Sequence, residues 1–250
     1  MGKRLRQQKA GKGTLAYRRP SHRFKSDASL RPYDEIERNG KLDGEIVGFV
    51  DDPARSSLLM NVRFANNEER MLIAPEGAAK GDRISVGSKA DLAFGNVLPL
   101  SAIPDGTPIY NIELVPGDGG RLVRSAGVNA TVLSRDGNLV TVQLPSKRVI
   151  ALDARCRAQI GIICGGGRLE APLMNAGAAF YKHHALNRRW PRNRGVKMNA
   201  YNHPFGGKQH HKGKSSMVSH SAPPGRKVGH IGARSVGRKK AKLQAVEGSK

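Results

Sequence analysis

The sequence predicts a mainly β protein: two small antiparallel barrels in series, with long extended basic arms at both ends. Three observations carry that prediction. Residues 43–163 fall into short apolar or alternating runs separated by turn residues, the period-2 pattern of strands. The same region shows no convincing helical period. Charge is segregated: residues 1–26 hold nine Lys and Arg and no carboxylate, residues 27–170 hold 17 basic and 19 acidic side chains, and residues 171–250 hold 17 basic side chains against the single Glu247. The formal net charge of +23 therefore belongs to the arms, and the middle is near neutral. The expected divisions are a basic N-terminal arm over 1–29, a first barrel over 30–112, a second over 113–172 and a basic C-terminal extension over 173–250.

The N-terminal arm reads as extended, because Gly11 and Gly13 break its one helical candidate. Arg18, Arg19, His22, Arg23 and Lys25, grouped around Pro20, are placed to meet phosphates. In the next region 43–51 (DGEIVGFVD) alternates as a strand, 52–55 is a turn, 58–64 a second strand, Asn66-Asn67 a turn, and 69–74 a third strand. Further strands are expected at 81–86 and 108–115, with the apolar, proline-bearing stretch 98–104 left as an irregular loop. Five short strands with tight turns and no helix suggest a barrel of the oligonucleotide-binding type.

Beyond the loop at 116–120, strands recur at 127–134, 138–144, 148–152 and 158–163, with an Asp136-Gly137 hairpin signal. This is a second small antiparallel barrel. The pattern fades after Gly165-Gly166-Gly167-Arg168, and 176–186 predicts one short helix. The stretch Asn187–Lys214 then carries Arg188, Arg189, Arg192, Arg194 and Lys197, followed by Lys208, Lys212 and Lys214, with Lys182 just upstream and no Asp or Glu. Glycines and prolines interrupt it throughout. Such a segment cannot bury enough apolar surface to offset the entropy of ordering it, so alone it is expected to be disordered. Against a polyanion it gains phosphate contacts and releases counterions. Trp190, Tyr201, Phe205 and the histidines, His183 and His184 among them, offer flat faces to unpaired bases.

Basic arms on a balanced middle point to nucleic acid as the partner. No apolar run reaches membrane-spanning length and the start lacks an apolar signal region, so a membrane is not expected as partner. Cys156 and Cys164 fit no zinc spacing and read as free intracellular thiols. The histidines at 183, 184, 203, 210, 211, 220 and 230 have no nearby Cys or carboxylate in sequence, which argues against a metal, a cofactor or a catalytic triad. The loops Gly117-Asp118-Gly119-Gly120 and 165–168 can form anion nests, but neither matches a nucleotide-binding motif. Contact with RNA through Gly119 and Gly120, beside Arg121, Arg124 and Arg168 and with Arg55 in the earlier turn, is the better reading. Two classes remain, a structural RNA-binding protein and an enzyme acting on nucleic acid. The second needs convergent carboxylates or a nucleotide loop, which the sequence does not offer, so no catalytic residue is expected.

The motif GVKMNAYNHPFGG at 195–207 resembles the large-subunit ribosomal protein of the L2 family. SHRFK at 21–25, DPARS at 52–56, IAPEG at 73–77, GDGG at 117–120, SAGVNA at 125–130, LPS at 144–146 and APPGRKVGHI at 222–231 extend the resemblance over nearly the whole chain. Phe205 and the SHRFK arm resemble the archaeal–eukaryotic branch, and the short length an archaeal member. The resemblance implies an oligonucleotide-binding-type barrel followed by an SH3-like barrel, with both termini threaded into large-subunit ribosomal RNA. It implies one copy in the cytoplasmic ribosome, with neighbouring ribosomal proteins as further partners. It also implies that the loop with Met198, Asn199, His203, Phe205, Gly206 and Gly207 reaches toward the peptidyl-transferase region near tRNA, and that Arg226 and Lys227 bind RNA. The protein is then expected to support subunit association and tRNA binding. Where the family often has Asp before its loop histidine, this chain has Asn202. No carboxylate is therefore expected to orient His203, whose imidazole is expected at the loop tip.

Overall fold

The computed structural model describes residues 2–53, 55–207 and 211–233. The chain divides into two compact units, Pro20–Asn175 and Met1–Arg19 with Ala176–Lys250.

The first unit is mainly β, with an oligonucleotide-binding-type barrel followed by an SH3-like barrel. Strands β1 (Leu42–Val50), β2 (Leu59–Phe64), β3 (Glu69–Ile73) and β4 (Arg83–Val86) lie in the antiparallel order β3-β2-β1-β4. Their alternation turns Ile46, Met60, Val62, Phe64, Leu72, Ile84 and Val86 into one core. At the Asn66-Asn67 turn, Asn67 takes a left-handed φ of 61°, which Asn tolerates better than most residues. Strands β5 (Val97–Pro99), β6 (Pro108–Tyr110), β7 (Ala130–Asp136), β8 (Leu139–Gln143), β9 (Val149–Asp153) and β10 (Arg157–Ile160) follow in the order β5-β10-β6-β7-β8-β9. The last strand in sequence thus lies between β5 and β6, and all four of its residues are buried. A second core gathers Leu98, Leu100, Ile103 and Ile109 with Val132, Val140, Val142, Leu152 and Ala158. A small third cluster holds Ala28, Leu59, Ile73, Tyr110 and Ile163, where the Tyr110 hydroxyl donates to the Ile73 carbonyl at 3.1 Å.

The strand expected at 108–115 ends at Tyr110, and three further elements differ from expectation. The stretch expected as a loop at 98–104 begins inside β5, whose three residues are all buried. A strand buried on both faces shows no alternation, and Pro99 sits at its end, where a proline is tolerated. Residues Glu35–Asn39 form helix α2, capped by the Asp34 carboxylate on the Glu37 N–H at 3.2 Å and closed by Gly40. Arg6–Ala10 forms a one-turn helix, α1, in the arm expected to be extended, and ends at Gly11.

In the second unit α3 (Ala176–Ala185) covers the predicted helix. It stops where Asn187 turns left-handed (φ 48°) and the Arg188 N–H returns to the His183 carbonyl at 2.7 Å. A two-residue parallel pair joins β11 (Met217–Val218) to β12 (His230–Ile231). Among its described residues only Leu5, Ala179 and Val228 are buried apolar side chains.

Candidate nucleic-acid interface

In the barrel unit the interface loops rest on a buried charge lattice. Arg157, at the start of β10, is 1% exposed, and its guanidinium reaches Glu37 and Glu113 at 2.6 Å each and the Arg31 carbonyl at 2.8 Å. Arg31 joins Asp34 at 2.5 Å and Glu68 at 2.6 Å. The Tyr33 ring carries the Arg157 guanidinium 4.8 Å and that of Arg38 5.1 Å from its centroid. Burial pushes the Glu37 carboxyl above its ordinary value, and the guanidiniums of Arg157 and Arg31 oppose it. Burial also works against the Arg157 charge, but its hydrogen bonds and Coulomb attraction to Glu113 and Glu37 outweigh that penalty.

This lattice sets the Gly117–Gly120 loop. Glu113 accepts the N–H of Gly117 at 3.2 Å and of Gly119 at 3.1 Å, and Asp118 accepts that of Gly120 at 3.1 Å. The expected anion nest exists, but its anions are the protein's own carboxylates. Gly119 and Gly120 are both buried, and a Cβ on Gly120 would run into the Asn111 side chain. These two N–H groups are therefore engaged within the protein rather than held as free donors. Arg124 is half-buried and donates to the carbonyls of Gly120 and Ala28, tying residue 28 to the loop. Burial lowers its pKa, and the neighbouring charges of Arg55 and Arg121 lower it further. Asp118 and Asp27 nearby offset part of this positive charge. Arg55 is partly committed as well, to Asp52 and to the Ser26 carbonyl. Arg121, Arg168, His22, Arg23 and Lys25 are exposed. Arg168 follows the triple glycine, where Gly127 and Gly166 approach so closely that a Cβ on Gly127 would clash with the Gly166 backbone.

The arm unit joins the first 19 residues to the C-terminal extension. Arg18 and Arg19 therefore belong with the extension, whereas His22, Arg23 and Lys25 belong with the barrels. Asn187 donates to the carbonyls of Leu15 at 2.7 Å and Arg18 at 2.6 Å, and Arg189 donates to the Tyr17 hydroxyl at 3.3 Å. Helix spacing puts Phe180, His183 and His184 on one face of α3. His184 stacks on Phe180 with centroids 6.0 Å apart, and His183 stacks on Trp190 at 5.9 Å and 11°. Lys182, Arg188, Arg192, Arg194 and Lys197 are exposed. The sequence reading missed Tyr17, Phe180 and Asn187. Phe180 was readable from its spacing to the histidines, whereas Tyr17 lies too far away in sequence for any local pattern to reveal it.

The motif loop closes on itself. The Gly207 N–H donates to the Met198 carbonyl at 3.0 Å, and the Asn199 carbonyl accepts from Asn202 at 3.0 Å and His203 at 3.2 Å. Gly206 is pressed against the backbone of Met198 and Asn199, and Gly195 against the His203 ring, so neither position has room for a side chain. His203 is half-buried, and its Nδ1 accepts the Phe205 N–H at 3.0 Å. Burial lowers its pKa and favours the neutral ring. The expected imidazole at the loop tip is instead folded back on Gly195. Phe205 lies 5.3 Å from that ring with Lys212 above it at 5.7 Å, and Lys3 hydrogen-bonds and overlies Tyr201. Arg226 is exposed and Lys227 half-buried beside Val228. Lys208 and His210 lie outside the described residues. Among the described residues, no group of three or more His, Cys, Asp or Glu could hold a metal ion, and no helix is long and apolar enough to cross a membrane. Burial pushes the Cys156 thiol up to about 11, away from thiolate chemistry.

A charge-balanced β scaffold that carries a cationic unit almost without a core defines a class: a protein built to assemble with a polyanion. A family model described as Ribosomal Proteins L2, C-terminal domain, matches residues 93–225. The large ribosomal subunit protein uL2 of Methanococcus maripaludis strain C6 is 51% identical over 243 residues, spanning 96% of this chain and 100% of its own. Its namesake in Methanocaldococcus jannaschii is 49% identical over 242 residues, spanning 96% and 100%. That of Methanopyrus kandleri is 48% identical over 239 residues, spanning 95% and 98%. The chain belongs to this family of large-subunit ribosomal proteins, and these archaeal relatives bear out the branch that the motif suggested.

Proposed function

We infer that this protein is a structural constituent of the large ribosomal subunit, bound to large-subunit ribosomal RNA and to neighbouring ribosomal proteins in the cytoplasm. Family membership over nearly the whole chain carries this reading, and the strongly cationic arm unit, whose only acidic side chain is Glu247, supplies its physical reason. The N-terminal arm, the C-terminal extension and the side chains of Arg55, Arg121 and Arg124 are the RNA-contacting parts of the proposal. The loop of residues 198–207 is proposed to stand near the peptidyl-transferase region and tRNA, so that the protein supports subunit association and tRNA binding as one copy per subunit. It is proposed to act there as a scaffold. His203 gives its Nδ1 to a backbone N–H, and no carboxylate near it in sequence is available to orient it. Co-sedimentation of the tagged protein with large subunits through a moderate salt wash tests the assignment. Recovery in the free fraction after that wash would overturn it.

A further inference from the structure

The arm unit contains a recess of about 320 Å³ lined by Tyr17, Phe180, His183, His184, Arg188 and Trp190, with Asn187 and Arg189 at its rim. Its size lies at the lower end of small-molecule sites, about 300–1,000 Å³. From it we propose a binding site for one unpaired RNA base, a proposal that rests on the RNA-binding reading above. Four features of the recess select that occupant. Its walls are flat rings already stacked in pairs, Phe180 on His184 and His183 on Trp190, which leaves outer faces for a further ring. Phe180 is 47% exposed, a large apolar face held open to solvent on a cationic surface. Exposed Arg188 and Arg189 flank the rings, and the unit's sequence holds no carboxylate except Glu247, so the surroundings favour a ligand with a phosphate attached. Finally, His183 Nδ1 is buried with no hydrogen-bond partner among the described residues. A base edge presents both donors and acceptors, so it can satisfy that nitrogen in either tautomer.

A base within a duplex has both faces covered and cannot enter such a recess; a splayed-out base can stack on it. The Asn187 bonds to Leu15 and Arg18 hold the N-terminal segment against α3, so Tyr17 closes one side of the site. The pocket is thus built from both ends of the chain.

The chain's single tryptophan, Trp190, sits in this recess and reports on it directly. The full-length protein is titrated with a single-stranded oligoadenylate and with an abasic oligomer of the same length, with binding followed by anisotropy and Trp190 emission in parallel. Both oligomers are expected to bind, and the oligoadenylate to change Trp190 emission more than the abasic oligomer does. Phe180→Ala is expected to weaken the oligoadenylate about tenfold, with abasic binding and the salt slope unchanged. Equal emission changes with both oligomers, or equal losses of both in the variant, would show a phosphate site and overturn the base pocket. Binding of both with no emission change would place the bases elsewhere and overturn it while leaving the RNA-binding reading intact. Failure of both to bind would overturn that reading and the pocket with it.

Discussion

The barrel unit and the arm unit meet the entropy of ordering a chain in opposite ways. The barrels bury apolar strands in three clusters and pair their buried charges, Arg157 with Glu37 and Glu113. In the arm unit the described residues include three buried apolar side chains and no carboxylate. Its order comes from backbone hydrogen bonds, stacked rings and close glycine contacts, and its cations repel one another. Isolated hydrogen bonds contribute only about 0.5–1.5 kcal/mol each, against about 1–2 kcal/mol per residue of backbone entropy. The difference predicts that the barrels fold alone, whereas the arm unit needs an external anion to complete it.

Deleting residues 176–250 separates the two contributions most sharply. RNA affinity near physiological salt is expected to fall by about 10³ or more, and the dependence of log K on log salt to flatten, because most phosphate contacts are removed. Filter binding over a salt series checks it; an unchanged slope would put the binding surface on the barrels.

The opposite test leaves the arms intact and attacks the barrels. Arg157→Met strands two buried glutamates and should cost about 3–5 kcal/mol. Urea unfolding followed by far-UV circular dichroism reads the loss, while Trp190 emission watches the arm unit. A loss below about 1 kcal/mol would mean that the lattice is solvated, in the manner of a surface pair.

These two tests also mark how far the sequence could be read. Strands with one buried face, such as β1 and β8, were visible because their side chains alternate. β5 was not, because a fully buried strand has no alternation. The cap of α2 was written in Asp34, Glu37 and Gly40, but five residues are too few for a helical period. The cationic segments of the interface followed directly from composition. The lattice that supports the GDGG loop did not, since Arg157 and Glu37 are 120 residues apart. For the same reason the sequence does not show that the N–H groups of Gly119 and Gly120 face Glu113 and Asp118.

A smaller effect is expected at the motif loop. Ribosomes with His203→Gln should keep peptidyl transfer within about tenfold of wild type, a barrier change near 1.4 kcal/mol. Single-turnover peptide release on purified large subunits measures it, and a thousandfold loss with intact assembly would make the imidazole part of the chemistry. Burial holds the His203 pKa below its ordinary value of 6.5 in the folded loop. Between that lowered value and 6.5 the unfolded loop binds more protons than the folded one. The contribution of His203 to stability is therefore complete above 6.5 and is lost as pH falls through that window. The Phe205 amide proton, bonded to Nδ1, should shift on acidification with a midpoint below 6.5.

Order in the arm unit is expected to depend on RNA, while order in the barrels is not. Hydrogen exchange read by mass spectrometry on the full-length protein, free and in the assembled large subunit, tests it most directly. The free chain is expected to be protected over 42–160 and to exchange rapidly over 2–19 and 176–233, with both of the latter becoming protected on assembly. Protection of 176–233 in the free protein equal to that of the barrel strands would contradict it.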